Sequence, residues 1–217
     1  MNHPDSSSTL DLTLGQFLER LGSSDPTPGG GAAAAVVGAL GAALIEMTAN
    51  LTIGRPRLAD VQDEAERIER RASELRRRLE KLGDADAEAF DQVTAAYKLP
   101  RADDAQKATR SHAIQSALRV AADVPLESAR ISAEVIELAE EAAPLLNASV
   151  ISDVLVGALL AQAALDSAAL NVEINLASMT DAATIERYST ELAGARAGVG
   201  ERVERILAAG RSRFPGK

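Results

Sequence analysis

Carboxylate and amide side chains that interrupt alanine-rich, apolar segments are the residues of this chain best suited to chemistry. Asp86 lies within an acidic run in which helical spacing turns Asp84, Glu88 and Asp91 to one common face. Asp86 itself falls on the apolar side, near Phe90, where a carboxyl with a raised pKa could act as a general base. The alternative is a solvated acidic helix face, which is the usual meaning of such a run.

A second set of polar residues interrupts an apolar segment near the C-terminal third of the chain. Asp153, Asn171 and Asn175 share one face of a helix, but 18 residues separate the first two, which is about 27 Å. They cannot all touch one small reacting centre within a single subunit. They belong either to two ends of an elongated site or to different sites across a dimer. The structural alternative is that Asp153 pairs with Ser152 and that the asparagines form helix-to-helix hydrogen bonds.

The turn Pro28-Gly29-Gly30-Gly31 leads directly into an alanine-rich helix. Backbone N–H groups at a helix start can bind an anion or a carboxylate, so this turn is a candidate binding site. The alternative is a tight turn that allows close packing. The sequence lacks the Gly-Lys-Ser/Thr of a P-loop, and no strand precedes the glycines as a dinucleotide-binding fold requires.

Composition narrows the possible functions. The 217 residues carry a formal charge of -9, which disfavours nucleic acid as a partner, and the 2% of aromatic residues disfavours base stacking. No cysteine and only two histidines are present, so a Cys- or His-rich metal site is not expected. No secretory signal is apparent, and the uncharged run from Pro26 to Ile45 is interpreted as a buried helix rather than a membrane span. A cytoplasmic protein is expected.

The pattern of residues predicts an all-α fold, a single bundle of about seven helices within residues 10–212 that follows a disordered tail over residues 1–9. Two segments, near 31–52 and 147–178, are apolar on nearly all sides and are expected at the centre, partly covered by a second subunit. The remaining predicted helices cover 13–21, 56–97, 103–123, 125–141 and 180–209, with Pro125 separating two of them.

Several of these segments resemble the formiminotransferase-cyclodeaminase family, in its cyclodeaminase domain and its stand-alone methenyltetrahydrofolate cyclohydrolases. The resemblance covers about residues 10–210, in the family's order and spacing. It rests on Pro26-Thr27-Pro28-Gly29-Gly30-Gly31, Leu51-Thr52-Ile53-Gly54-Arg55, Asp86-Ala87-Glu88-Ala89-Phe90, Ala96-Tyr97-Lys98-Leu99-Pro100, Val124-Pro125-Leu126, Ser152-Asp153, Asn171-Val172-Glu173-Ile174-Asn175-Leu176 and Asp181.

The resemblance implies an intertwined homodimer that processes a one-carbon unit on tetrahydrofolate, with no metal and no separate cofactor. The reaction would be hydrolysis of 5,10-methenyltetrahydrofolate to 10-formyltetrahydrofolate, or closure of 5-formiminotetrahydrofolate with release of ammonia. The cyclohydrolase is slightly favoured, acting alone or with a separate formiminotransferase.

The resemblance also suggests roles for individual residues. Asp86 and Asp153 become the two catalytic candidates, one as base and the other as electrostatic or pterin-binding partner. The remaining predicted substrate-binding residues are Pro28, Gly29, Gly30, Gly31, Arg55, Asn171 and Asn175; among them, Arg55 could pair with the glutamate carboxylate.

The chain departs from the family pattern at two positions. Ala32 replaces the serine that commonly follows the three glycines, and Leu58 replaces an aromatic residue. These departures keep open the alternative of a catalytically inactive folate-binding or scaffold homologue.

Overall fold

The computed structural model describes Ser8 and residues 11–214, and the part of the chain it covers is all-α, as predicted. Two short 3₁₀ helices, Pro56–Val61 and Ala148–Val150, precede the third and fifth α-helices. The predicted disordered tail over residues 1–9 lies outside the described residues except for Ser8, whose hydroxyl donates to Asp84. The α-helices are α1 Leu14–Leu21, α2 Gly30–Asn50, α3 Gln62–Tyr97, α4 Asp104–Leu145, α5 Ile151–Leu176, α6 Ala182–Arg196 and α7 Val199–Arg211.

The two apolar helices, α2 and α5, pack against each other in antiparallel orientation. Gly30 at the start of α2 lies beside Asn171 near the end of α5, and Gly41 in the middle of α2 meets Gly157 in the first third of α5. A Cβ added at either Gly41 or Gly157 would lie 2.8 Å from the carbonyl oxygen of the other. The small residues of both helices are therefore required because their backbones are in contact.

Helices α3 and α4 form a second antiparallel layer that closes the bundle on one side of the α2–α5 pair. Fully buried Leu75, Leu79, Ile131 and Ile136 fill the core between the layers. Ion pairs between the two helices, such as Arg78 with Glu127, lie at the surface, where each contributes about 0–1 kcal/mol. Burial of apolar side chains in the core is therefore the main source of stability.

Helix α4 is continuous across Pro125, so the predicted separation into helices over 103–123 and 125–141 is wrong. A proline inside a helix cannot donate to the carbonyl four residues earlier, which here belongs to Ala121. The Asn175 side chain of α5 supplies the missing donor, with its Nδ2 lying 2.8 Å from the Ala121 oxygen. A tertiary hydrogen bond thus replaces the local one, and this partner cannot be recognised from local sequence.

We expect Asn175→Ala to lower the free energy of unfolding by about 1–3 kcal/mol, because the buried Ala121 carbonyl loses its partner. In a Pro125→Ala background the same change should cost clearly less, since the new N–H at position 125 can donate to Ala121. Urea denaturation of the four proteins measures both losses. Equal losses in the two backgrounds would show that Asn175 does not compensate for Pro125.

The C-terminal region also differs from the prediction of one helix over 180–209. The chain turns at Gly198, which has a φ of 69°, between α6 and α7. This left-handed conformation is accessible to glycine at little cost, and it interrupts the helix. The described residues therefore contain about the predicted seven α-helices, but the divisions at Pro125 and Gly198 differ from the prediction.

Helices α2 and α5 expose one apolar face, on the side away from α3 and α4. This outer face consists of side chains that are 39–68% exposed: Leu40, Met47, Val156, Leu159, Leu170 and Ile174. By length and composition both helices could cross a membrane, yet about half of the most apolar stretch of each is buried in the fold. The predicted central position is confirmed for one side of each helix, while the outer face has no cover within the described chain.

Candidate functional site

The start of α2 is the point at which the glycine-rich turn meets α3. Gly29 occupies the N-cap position and offers no side chain to the first N–H groups of the helix. Asp86 of α3 provides the acceptor instead: its Oδ2 lies 3.0 Å from the backbone nitrogen of Ala32. An anion was predicted to bind at this helix start, and the Asp86 carboxylate of the chain itself binds there.

Gly31 is required at this position because of Asp86. A Cβ added to Gly31 would lie 2.1 Å from Asp86 Oδ1 and 2.5 Å from the carboxyl carbon. Gly30 differs, since its added Cβ would lie 3.7 Å from Asn171 Nδ2, an ordinary contact. Within the three-glycine turn, Gly31 therefore has the specific steric role of allowing the carboxylate to approach the backbone.

Asp86 is a half-buried carboxyl with no basic partner among the described residues. Burial raises the pKa of the Asp86 carboxyl above its ordinary value, and the Ala32 N–H lowers it by a smaller amount. A carboxylate that is desolvated but not ion-paired is well suited to accept a proton. The hypothesis of a solvated acidic face does not apply to Asp86, although Glu88 in the same run is exposed.

The two predicted asparagines lie at the same end of the molecule as Asp86. Asn171 lies against Gly30, and its Nδ2 donates to the Ser167 carbonyl oxygen at 2.9 Å. Asn175 donates to Ala121 and to the Asn171 carbonyl oxygen, both at 2.8 Å. Asn171 therefore lines the site, while Asn175 holds α4 and α5 together and orients the site indirectly.

Arg55 and Asp153 lie at the opposite end of the α2–α5 pair. Arg55 is exposed beyond the end of α2, and its Nε donates to the Leu51 carbonyl oxygen. Asp153 is half-buried in the first turn of α5. The 21 residues of α2 separate this end from Asp86 by about 30 Å. The structure thus brings Gly29, Gly30, Gly31, Asp86 and Asn171 together, but neither Arg55 nor Asp153 joins them within one subunit.

Two tertiary contacts near these ends have no local signature in the sequence. Asn147 is buried, and its Nδ2 donates to the Leu51 carbonyl while its backbone N–H donates to Thr52 Oγ1, which ties the end of α2 to the start of α5. At the other end, Arg110 donates to the Tyr97 carbonyl and lies over its ring. The Leu51-Thr52 and Ala96-Tyr97 motifs indicated where these contacts lie, but not that Asn147 and Arg110 make them.

Comparison with known proteins shows the family of the chain. The family model for formiminotransferase-cyclodeaminase matches residues 13–194. The chain belongs to the formiminotransferase-cyclodeaminase family. This finding confirms the resemblance and, with it, the prediction of a folate-dependent one-carbon enzyme.

Relatives within this family differ in length and in name. A methenyltetrahydrofolate cyclohydrolase of Methylorubrum extorquens is 47% identical over 194 residues, which cover 89% of this chain and 93% of that protein. A formimidoyltransferase-cyclodeaminase of Rattus norvegicus is 36% identical over 181 residues, which cover 82% of this chain but 34% of that protein. The family region is thus nearly the whole of the first protein and about a third of the second.

A solved structure supports the fold of this family member. The crystal structure of a formiminotetrahydrofolate cyclodeaminase from Thermotoga maritima superposes with a TM-score of 0.84 at 32% identity. The match covers 94% of this chain and 98% of that chain. The chain therefore matches nearly the full length of one relative named as a cyclohydrolase and of another named as a cyclodeaminase.

Proposed function

We propose that this chain hydrolyses 5,10-methenyltetrahydrofolate to 10-formyltetrahydrofolate, with Asp86 as the general base. The observation that carries the proposal is the unpaired, half-buried Asp86 carboxylate held against Gly31 and the Ala32 N–H. The 47% identity to a protein named methenyltetrahydrofolate cyclohydrolase, over nearly the full length of both, favours this reaction. We further propose a cytoplasmic enzyme that needs no metal or cofactor and binds neither nucleic acid nor membrane.

The proposed chemistry needs one proton acceptor beside a cationic carbon. In the substrate, one carbon bridges N5 and N10 and carries delocalised positive charge. A water molecule adds to that carbon while Asp86 accepts a proton, giving a neutral tetrahedral intermediate. Asp86 then returns the proton to N5 as the carbon–N5 bond breaks, and the hydroxyl proton leaves to solvent as the formyl group forms on N10. The carboxylate also stabilises the cation electrostatically.

A second candidate is the cyclodeaminase reaction, favoured by the superposition on the Thermotoga maritima protein. There N10 attacks the carbon of the protonated formimino group while Asp86 accepts the N10 proton. Asp86 then returns this proton to the formimino nitrogen, which leaves as ammonia as the methenyl cation forms. A separate formiminotransferase would supply the substrate. The inactive-homologue alternative loses support at Ala32, because residue 32 contributes its backbone N–H to Asp86 and needs no hydroxyl for this contact.

The test is the decay of the near-ultraviolet absorbance of 5,10-methenyltetrahydrofolate with and without the protein. Faster decay would establish hydrolysis. If the decay is unchanged, the formimino substrate is supplied next, and appearance of the same absorbance would establish the cyclodeaminase. Absence of both activities, with folate binding retained in calorimetry, would establish the inactive homologue.

We also propose a homodimer that covers the outer apolar face of α2 and α5. Six large apolar side chains exposed on two neighbouring helices are unusual for a monomer and are typical of a subunit interface. A symmetric dimer through this face allows one subunit to bring Asp153 and Arg55 to the Asp86 end of its partner. In such a shared site Asp153 could act beside Asp86 as predicted, which the distance between them within a single subunit does not allow.

Mixing two inactive variants tests the shared site. We expect Asp86→Asn and Asp153→Asn each to be inactive as pure dimers, and their equilibrated mixture to recover about a quarter of wild-type activity, since half of the dimers are hybrids with one intact site. Light scattering checks that each variant has twice the monomer mass. If Asp153→Asn alone is fully active, Asp153 has no catalytic role.

A further inference from the structure

Helices α3 and α5 both continue past the start of α2, and the space that they leave between them is here called the groove. Helix α3 extends eleven residues beyond Asp86 to Tyr97, which is about 16 Å, while α2 starts level with Asp86. On the other side, α5 continues from Asn171 to its end at Leu176, a further distance of about 8 Å, and the turn after it contains Ser178. The space between these segments, above the first turns of α4, is therefore not covered by α2.

Aromatic side chains follow this groove along α3. Phe90 and Tyr97 come four and eleven residues after Asp86, which places all three within about 40° on the helix surface. Both aromatic side chains are more than 40% exposed, so flat apolar surface is available to a ligand that passes Asp86. An aromatic ring of the ligand can stack on such a surface.

The groove ends in a cavity of about 310 Å³ that carries positive charge. Gln115 fixes one wall, because its Nε2 donates to the Ser178 carbonyl and its Oε1 accepts from the Thr180 N–H. The residues that matter here for charge and shape are Tyr97, Arg101, Lys107, Arg110, Gln115 and Ser178.

Two of the three cations in the cavity lack a carboxylate partner among the described residues. Lys107 pairs with Asp104, whereas Arg101 and Arg110 form no ion pair there. Arg110 is held by the Tyr97 carbonyl and ring. In a chain with a formal charge of -9, this is a defined place for an anionic group.

We propose that this cavity binds the carboxylates of the glutamyl tail of the folate substrate. The assignment rests on the proposed function, which places the reacting carbon at Asp86. A tetrahydrofolate carries a benzoyl ring and then a glutamyl group beyond its reacting nitrogens, in the same order as Phe90, Tyr97 and the two arginines along the groove. Arg101 and Arg110 lie at the end of the chain's own site, whereas Arg55, which the sequence suggested for this carboxylate, could reach that site only from a partner subunit.

A larger cavity elsewhere on α3 offers an internal control. It has a volume of about 390 Å³ and is lined by four basic residues, of which Arg77 and Lys81 lie on the side of α3 opposite to Asp86. It also contains two glutamates, Glu69 and Glu74, which oppose binding of an anion. Arg77→Gln therefore removes a comparable surface charge that the substrate does not reach.

The experiment compares two substrates in steady-state kinetics: 5,10-methenyltetrahydrofolate and the corresponding tetrahydropteroate, which lacks the glutamyl group. We expect the wild-type protein to prefer the substrate that carries the glutamyl group. The double variant Arg101→Gln/Arg110→Gln should lower kcat/KM for that substrate about tenfold, through a higher KM, and should change kcat/KM for the tetrahydropteroate less than about twofold. Arg77→Gln should leave both values unchanged. The Arg101 side chain makes no hydrogen bond to described residues, so Arg101→Gln alone should not affect folding. It should show part of the loss in kcat/KM for the glutamyl substrate.

The outcomes separate this assignment from the function on which it rests. Equal kcat/KM for the two substrates in the wild type, or an unchanged ratio in the arginine variants, would overturn the tail site alone. No turnover of either substrate by the wild type would overturn the proposed reaction and the tail site together. A larger effect of Arg77→Gln would place the tail on the other face of α3.

Discussion

Asp86→Asn is expected to lower kcat by about 10²–10⁴-fold while the helical fold is retained. Asparagine matches aspartate in size, and its Oδ1 can still accept the Ala32 N–H, but it cannot take a proton from water. Stopped or slowed loss of methenyltetrahydrofolate absorbance, with an unchanged far-ultraviolet circular dichroism spectrum, measures the effect. Turnover within a few-fold of wild type would remove Asp86 from the mechanism.

The same substitution has an informative effect on stability. Because burial raises the folded-state pKa of Asp86 above its unfolded value, this group favours folding below the unfolded pKa and loses that contribution as pH rises through the folded pKa. At neutral pH the buried charge is thus a net cost. We expect Asp86→Asn to be at least as stable as the wild type at pH 7 in urea denaturation, which a merely structural role for the carboxylate would not give.

The raised pKa also sets the acidic limb of the pH profile. Activity needs the carboxylate form, so kcat/KM should fall as pH decreases through a value above about 3.9, the ordinary pKa of aspartate. The profile should be measured in the pH range where circular dichroism shows that the protein stays folded. A limb at or below the ordinary value would contradict the assignment of Asp86 as the base.

Gly31→Ala is expected to reduce activity by about 10²-fold or more, because its Cβ would lie within 2.1 Å of Asp86 Oδ1. The carboxylate has to move away from the Ala32 N–H, and the proton acceptor moves with it. The methyl group meets the end of a side chain rather than backbone, so the protein should still fold. The expected loss of stability is about 1–2 kcal/mol, from the broken hydrogen bond, and is measured by urea denaturation.

Gly30→Ala is the matched control for Gly31→Ala. The two changes add the same methyl group to adjacent residues at the start of α2, yet the methyl at position 30 would meet only Asn171 at 3.7 Å. The loss of activity in Gly30→Ala should be clearly smaller than that in Gly31→Ala. In an Asp86→Ala background, Gly31→Ala should add little further loss of stability, because the group it displaces is absent. Similar losses in both glycine variants would mean that the whole turn, and not Asp86, imposes the requirement for glycine.

Much of the architecture could be predicted because local patterns determine it. Helical periodicity and the alanine content of two segments indicated an all-α bundle with α2 and α5 at its centre. Pro125 was misleading, since its missing donor is replaced from Asn175, 50 positions further along the chain. The break at Gly198 was missed because a glycine inside a helical pattern has no unique meaning.

The candidate site was predicted in part, and the difference follows from long-range geometry. The glycine-rich turn and Asp86 each had a local signature, but their contact joins residues 54 positions apart and depends on how α2 docks on α3. Helix length predicted that Asp153 lies far from the asparagines within one subunit, but not which of them lies near Asp86. The antiparallel packing of α2 and α5 decides this, by placing Asp153 and Arg55 about 30 Å from Asp86 within one subunit.

The bond between Asn175 and the Ala121 carbonyl constrains the order in which a lineage can change these positions. A proline that arrives at position 125 before the asparagine leaves a buried carbonyl without a donor, whereas an asparagine that arrives first costs little. In the reverse direction, position 125 can revert freely, and only afterwards can position 175 vary. The history of this pair is therefore expected to run along one path, with Asn175 the older of the two residues.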